Sequence, residues 1–204
     1  MKKIEIKAEK IFFTSDMHFG HEVICTFANR PFDCGKKIDN VMIENWNNTV
    51  PADGLTFVLG DIGKLNKVQI VETMNKLNGR KILLRGNHDA IYKESVLLSV
   101  FEEVYDLLYI RIRDDKTSKY QYIVLSHYPM FDWQSSFRGA WQLFGHLHTR
   151  GLVEFDYLKT KLFPTQYDVG VDNNNFTPVS FYDVKRIISE QKKDKRFKRS
   201  NYYI

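Results

Sequence analysis

Apolar runs that stop at metal-competent polar residues recur along this chain. Ile11-Phe12-Phe13-Thr14 ends at Ser15-Asp16, and Leu55-Thr56-Phe57-Val58-Leu59 ends at Gly60-Asp61. Lys81-Ile82-Leu83-Leu84-Arg85 ends at Gly86-Asn87-His88-Asp89, and Tyr122-Ile123-Val124-Leu125 at Ser126-His127. Short continuous apolar runs bounded by such residues predict buried strands. In open α/β sheets ligands gather outside the carboxyl ends of the strands, so the repetition predicts one shared site.

Helical spacing fills the gaps. Asp39 is placed to cap a segment holding Val41, Met42, Ile43 and Trp46. Asn66 is placed to cap another with Val68, Val71, Met74 and Leu77, ended by Asn78-Gly79. Strand alternating with helix predicts parallel pairing with right-handed crossovers in the first half. The second half reads as strands with short connections: Tyr105 to Arg113, Tyr120 to Leu125, Leu143-Phe144, Leu152 to Phe155 and Val179-Ser180-Phe181, with a turn at Asp114-Asp115-Lys116-Thr117. Such spacing predicts a second sheet, antiparallel or mixed. The expected architecture is α/β, two packed sheets with outer helices in one domain.

A length of 204 residues suits one such domain, and 43% hydrophobic with 27% charged residues is ordinary for a globular chain. The formal charge of +5 changes the picture only locally. Between Lys185 and Arg199 eight Lys/Arg face two acids, so the remainder is near neutral. This divides the chain into a body, 1–184, and a basic tail, 185–204, able to add a non-specific nucleic-acid contact. Cys25 and Cys34 form no Cys-x-x-Cys pair and read as thiols of a reducing compartment. The start carries lysines without an apolar stretch behind them, and no run is long enough to cross a bilayer. A cytoplasmic protein without a membrane partner is expected.

All six histidines lie in four short motifs, three of which also carry Asp, Asn or Gly: Asp16-Met17-His18-Phe19-Gly20-His21, Gly86-Asn87-His88-Asp89 and Gly145-His146-Leu147-His148, with Ser126-His127 the fourth. Imidazole, carboxylate and amide oxygen are the ligand set of borderline divalent metals, and two ions need about this many ligands. Asp16-x-His18 is expected to place both side chains on one face of an extended segment. Gly145-His146-Leu147-His148 repeats that spacing with two imidazoles.

These motifs, in this order from Phe12 to His148, resemble the calcineurin-like metallophosphoesterases. The longer signatures, including Arg30-Pro31-Phe32, His127-Tyr128-Pro129 with Trp133, and Val169-Gly170-Val171-Asp172, look like a compact bacterial and phage subgroup. The resemblance implies a four-layer sandwich of two mixed sheets flanked by helices. It implies that Asp16, His18 and His148 hold one divalent ion, that Asp61 bridges two, and that Asn87, His127 and His146 complete the second. Mn²⁺ is the first expectation, with Fe, Zn or Ni compatible. His88 would be the leaving-group acid, with Asp89 fixing and charging its imidazole, and a hydroxide between the metals the nucleophile. The implied activity is phosphodiester hydrolysis on a nucleotide, cyclic nucleotide or nucleic-acid end. A phosphomonoesterase or diphosphohydrolase is the alternative, and a non-catalytic metal-binding scaffold the alternative of another class. Lys64 stands where many members carry an acid, which points away from protein phosphatases.

Several neighbours have two readings. His21 either contacts substrate at the rim or starts a helix near Glu22-Val23-Ile24. Arg30 either binds substrate phosphate bidentately or is a turn residue before Pro31. Arg85 pairs with acids at the sheet end. Phe19, Tyr128 and Trp133 are candidates for a stacking surface, and Asp172 either supports a ligating histidine or simply turns the chain. The oligomeric state is left open.

Overall fold

The apolar runs are strands because each buries both faces, which favours continuous Val, Ile, Leu and Phe over alternation. The computed structural model describes residues 1–31, 36–149, 157–158 and 160–197. Among these, ten strands build two five-stranded mixed sheets. The first sheet begins with β10 (Val179–Ser180), antiparallel to β2 (Ile11–Thr14). β3 (Leu55–Val58), β4 (Arg80–Leu84) and β5 (Glu103–Tyr105) follow in parallel. The second carries β1 (Lys2–Ile4) parallel to β6 (Leu107–Arg113), which pairs antiparallel with β7 (Tyr120–Ser126). β8 (Trp141–Phe144) and β9 (Gln166–Asp168) then continue parallel to β7.

Alternate residues of one strand serve two cores. Ile11, Phe13, Leu55 and Phe57 face Ile110, Ile123, Leu125 and Leu143 of the other sheet, with the Phe13 and Phe57 rings stacked 5.7 Å apart. Phe12, Val58 and Leu83 face the helices instead. These are α1 (Val23–Phe27), α2 (Lys36–Thr49), α3 (Lys67–Asn75) and α4 (Glu94–Leu97). The outer face of the second sheet carries a smaller cluster of Val124, Trp133 and Ala140. Helix α5 (Phe181–Gln191) packs Phe181, Val184 and Ile188 into the core between the sheets. The two-sheet α/β expectation therefore holds.

Several local expectations do not. The run from Tyr105 to Arg113 is two strands, broken at Asp106, where the chain leaves one sheet for the other. Helix α3 has the Asn66 cap, whose side chain accepts from Val68 and Gln69, but buries Ile70 and Met74 while Val68 faces solvent. Asp39 lies inside α2 and accepts the Gly20 N–H at 3.0 Å, a loop anchor instead of a cap. Phe181 begins a helix because the Ser180 hydroxyl caps it, accepting from the Asp183 N–H at 3.1 Å. This moves the domain boundary: a tail starting at Lys185 would cut α5, whose Ile188 is core, and Phe197 is buried too. Lys185 pairs with Asp114, and Arg186 and Arg196 pair with nearby acids, so charge there is partly spent within the fold. Cys25 is buried and disulfide-bonded, which removes the premise of two free thiols, while Cys34 lies outside the described residues. Leu152 to Phe155 lies outside them as well. No helix among the described residues is long and apolar enough to cross a membrane.

Candidate metal centre

Beyond the carboxyl ends of β2, β3, β4, β7 and β8, the polar loops converge as the apolar pattern predicts. The loops are stitched backbone to backbone. Asp16 N donates to Gly60 O, His18 N to Asp61 O, and Gly145 N to His127 O, at 2.9–3.0 Å. The packing leaves no room for side chains between them: a Cβ on Gly145 would collide with Ser15 Oγ and the Asp16 carboxylate.

Five of the seven expected ligands sit at positive φ: Asp16 (59°), His18 (52°), Asp61 (55°), His146 (69°) and His148 (46°). Non-glycine residues rarely adopt this region, at about 1–2 kcal/mol each, and such strain concentrates at functional sites. The expectation of an extended Asp16-x-His18 segment is thereby corrected. Alternating left-handed residues, rather than strand pleating, bring the i and i+2 side chains to one place.

The side chains form two poles around Asp61. At the first, donor atoms of Asp16, His18 and His148 lie within 4.8 Å of one another. At the second, Asn87 Oδ1 lies 3.0 Å from His127 Nε2 and 3.1 Å from His146 Nδ1. Asp61 Oδ2 stands between the poles, 3.5 Å from His18 Nε2 and 3.6 Å from His127 Nε2. Its other oxygen accepts the His88 N–H at 2.9 Å, which fixes the carboxylate.

Proton bookkeeping tests whether a cation fits. His127 Nδ1 is 2.7 Å from the Leu59 carbonyl, so that nitrogen carries the proton and Nε2 faces Asn87 Oδ1 with a lone pair. His148 Nδ1 donates to Asp172 Oδ2 at 2.6 Å, turning its Nε2 lone pair toward Asp16 Oδ1 at 3.7 Å. His18 Nε2 is buried without any hydrogen-bond partner. Acceptors therefore face acceptors, and a buried, unpaired polar atom costs about 1–3 kcal/mol. Divalent cations would resolve that conflict, and the nitrogen and oxygen donors are of a kind that could hold them.

Electrostatics agree. Burial pushes the Asp16 carboxyl up to about 7, with His148 only partly opposing. Burial also drives the His18 imidazole down to about 2, reinforced by the charges of His148 and Arg30. For His148 burial lowers the imidazole, but its Asp172 hydrogen bond and the Asp16 and Asp172 charges outweigh it and leave it raised. His146 is lowered by burial and by His127. Burial and neighbouring charge thus favour the neutral imidazole at His18 and His146, the form that can ligate a metal.

Other candidates land differently. Arg30 does not reach the substrate side. Its buried guanidinium grips Asp172 through two bonds of 2.8 and 2.9 Å, and also donates to the Met17 and Asp16 carbonyls. Four of its five N–H donors serve the fold, Asp172 being a buried carboxylate that needs a partner. Asp172 takes the supporting role: it anchors His148. Asp89 does not fix His88. Its carboxylate is fully buried and accepts the Asp61, Ile62 and Gly86 N–H groups at 2.8–2.9 Å, since the 3₁₀ turn Asn87–Ile91 directs it inward while His88 faces solvent. The His88 ring stands 5.1 Å from His18 and 5.4 Å from His21. His21 is at the rim, its Nδ1 3.4 Å from His18 Nδ1, lowered by burial and then by His88 and Lys64. Arg85 pairs with Glu94 and Asp106 as expected. Phe19 and Trp133 are core, and only Tyr128 borders the centre, 4.7 Å from the His146 ring. Sequence reasoning missed Val23, Ile24 and Phe27, which line a cavity of about 330 Å³ together with the histidines.

No family model matches the chain. It is 29% identical over 185 residues to an uncharacterized protein of Methanocaldococcus jannaschii, MJ1445, covering 90% of this chain and 93% of that one. Similarity at 25% identity over 183 residues extends to the Gene 66 protein of Mycobacterium phage L5, covering 79% of this chain and 86% of that one. Among solved structures, AQ665 from Aquifex aeolicus, a protein of unknown function, superposes with a TM-score of 0.65 at 24% identity. That match covers 87% of this chain and 98% of that one, and shows the two-sheet α/β fold alone.

Proposed function

We propose that this chain is a dinuclear metal-dependent phosphoesterase of the calcineurin-like type that hydrolyses phosphodiesters. One observation carries the proposal: six acceptor-bearing side chains from four loops gather around Asp61, with acceptor atoms facing one another. Asp16, His18 and His148 would hold one ion, Asn87, His127 and His146 the other, with Asp61 shared. Mn²⁺ is the first candidate, with Fe, Zn or Ni compatible with the nitrogen and oxygen donors. Such a pair supplies positive charge for phosphate oxygens and lowers the pKa of a water.

The chain's own groups have separable tasks. His148 is oriented by Asp172, and Asp172 by Arg30, so that Nε2 points at Asp16. Asp89 holds the Asp61 turn through three N–H groups. His88 is exposed beside the centre and tied by its backbone to Asp61, a place from which its imidazole gives a proton to a departing alkoxide. Diester preference rests on that proton donor.

The test is hydrolysis of bis-p-nitrophenyl phosphate against p-nitrophenyl phosphate after chelation and reloading with Mn²⁺. Diester turnover that depends on the metal is the expected result. Turnover of the monoester alone would favour a phosphomonoesterase, and none with any phosphate ester would leave a metal-binding scaffold.

A further inference from the structure

The cavity beside the first pole has two chemically different walls. One is imidazole and carboxylate: His18, His21, His88, His148 and Asp61. The other is apolar, presented by the short helix α1 as Val23, Ile24 and Phe27. Ile24 is buried and anchors the helix, whereas Val23 is 71% and Phe27 75% exposed. Exposed aliphatic and aromatic side chains next to a charged centre require a reason, because a solvated rim would satisfy the same fold.

The Phe27 ring meets the His148 ring edge-on, 6.1 Å between centroids at 85°. About 330 Å³ lies at the lower end of the range for small-molecule sites, roughly 300–1,000 Å³. A second cavity of about 340 Å³, with Arg85, Ser126 and Tyr128 in its lining, shares Asn87 with the first. The candidate proton donor His88 lines only the α1 cavity of the two.

We infer that α1 is a recognition wall for a flat aromatic substituent of the phosphate ester, the chemistry a nucleobase shares with a phenyl ring. The inference rests on the phosphoesterase reading and narrows its substrate class. The phosphate sits at the metal poles, and the substituent carrying the leaving oxygen extends past His88 onto the exposed ring of Phe27. The remaining arm of a diester takes the cleft lined by Arg85 and Tyr128. Face-to-face or edge contact with an aromatic side chain accepts any base, so the wall selects for a ring without reading its edge.

Phosphonates test this without turnover, because their carbon–phosphorus bond resists hydrolysis. Calorimetric titration of the Mn²⁺-loaded full chain compares phenylphosphonate with methylphosphonate, which share the anionic head and differ in the ring. Phenylphosphonate is expected to bind roughly five- to a hundredfold tighter. Phe27→Ala should collapse the ratio towards one while methylphosphonate still binds, and Phe27→Trp should restore it. Equal affinities in the wild type, or a preference that survives Phe27→Ala, would overturn the aromatic wall and leave the phosphoesterase reading standing. Failure of both phosphonates to bind the metal-loaded protein would overturn both.

Discussion

The two poles of the centre are built from similar side chains but braced to different degrees. At the first, Asp16, His18 and His148 are all buried, and His148 is backed by the enclosed Arg30–Asp172 pair. At the second, His127 is buried and hydrogen-bonded to Leu59, but His146 is half-buried and Asn87 exposed. A ligand held by a second layer of hydrogen bonds is pre-oriented and loses less freedom on binding an ion. The difference predicts unequal sites: a tight ion at the first pole and a more readily exchanged one at the second.

The largest perturbation is the one that removes what the poles share. Asp61→Asn should lower diester turnover on the order of 10⁴-fold, because both sites lose an anionic ligand; elemental analysis should show fewer than two ions per chain. His88→Ala removes an imidazole whose ring nitrogen lies within 4.8 Å of the His18 and Asp61 donor atoms but that is given the proton-donor role, not a ligand role, so it separates chemistry from metal binding. Its turnover should fall roughly 10³-fold at unchanged metal content, and loss of both ions would contradict its assigned role.

Smaller changes act on one pole. Asp172→Asn should weaken the tighter ion roughly 10–100-fold in a Mn²⁺ titration. By stranding the buried Arg30 charge it should also cost about 3–5 kcal/mol in urea unfolding. Asn87→Ala should instead weaken only the looser ion, and equal effects on both would break the comparison.

Protons compete with the metal at Asp16. Its carboxyl is pushed up by burial to about 7, so below that pH the neutral acid must release a proton to ligate. His148, whose imidazole is left raised by Asp172 and Asp16, must release its proton too, so affinity at the first pole should fall by up to tenfold per pH unit for each of the two groups as pH drops. His18, driven down to about 2, stays neutral throughout and adds nothing to that slope. The smallest effect lies far from either pole: Ser180→Ala removes the α5 cap and should cost about 1 kcal/mol without changing metal content.

How much of this was legible depended on how local the signal was. Buried strands ending in Asp16, Asp61, Asn87 and His127 were readable because both-face burial demands continuous apolar runs. The break at Asp106 was not, since one β-rich stretch serves two sheets only in three dimensions. Arg30 and Asp172 lie 142 residues apart and meet through the fold, so neither could be assigned its partner from the chain. Asp89 was misassigned because adjacency to His88 suggested contact, whereas consecutive residues in a 3₁₀ turn point apart. Phe27 was invisible for the opposite reason: Val23, Ile24 and Phe27 at helical spacing look like core, and only the structure leaves two of the three exposed.

The central claim is that one chain holds two divalent ions around Asp61. Calorimetric titration of the chelated protein with Mn²⁺ tests it most directly. Two ions per chain, bound with distinct affinities and reduced by Asp61→Asn, is the predicted result. No specific binding, or a stoichiometry that Asp61→Asn does not alter, would contradict it.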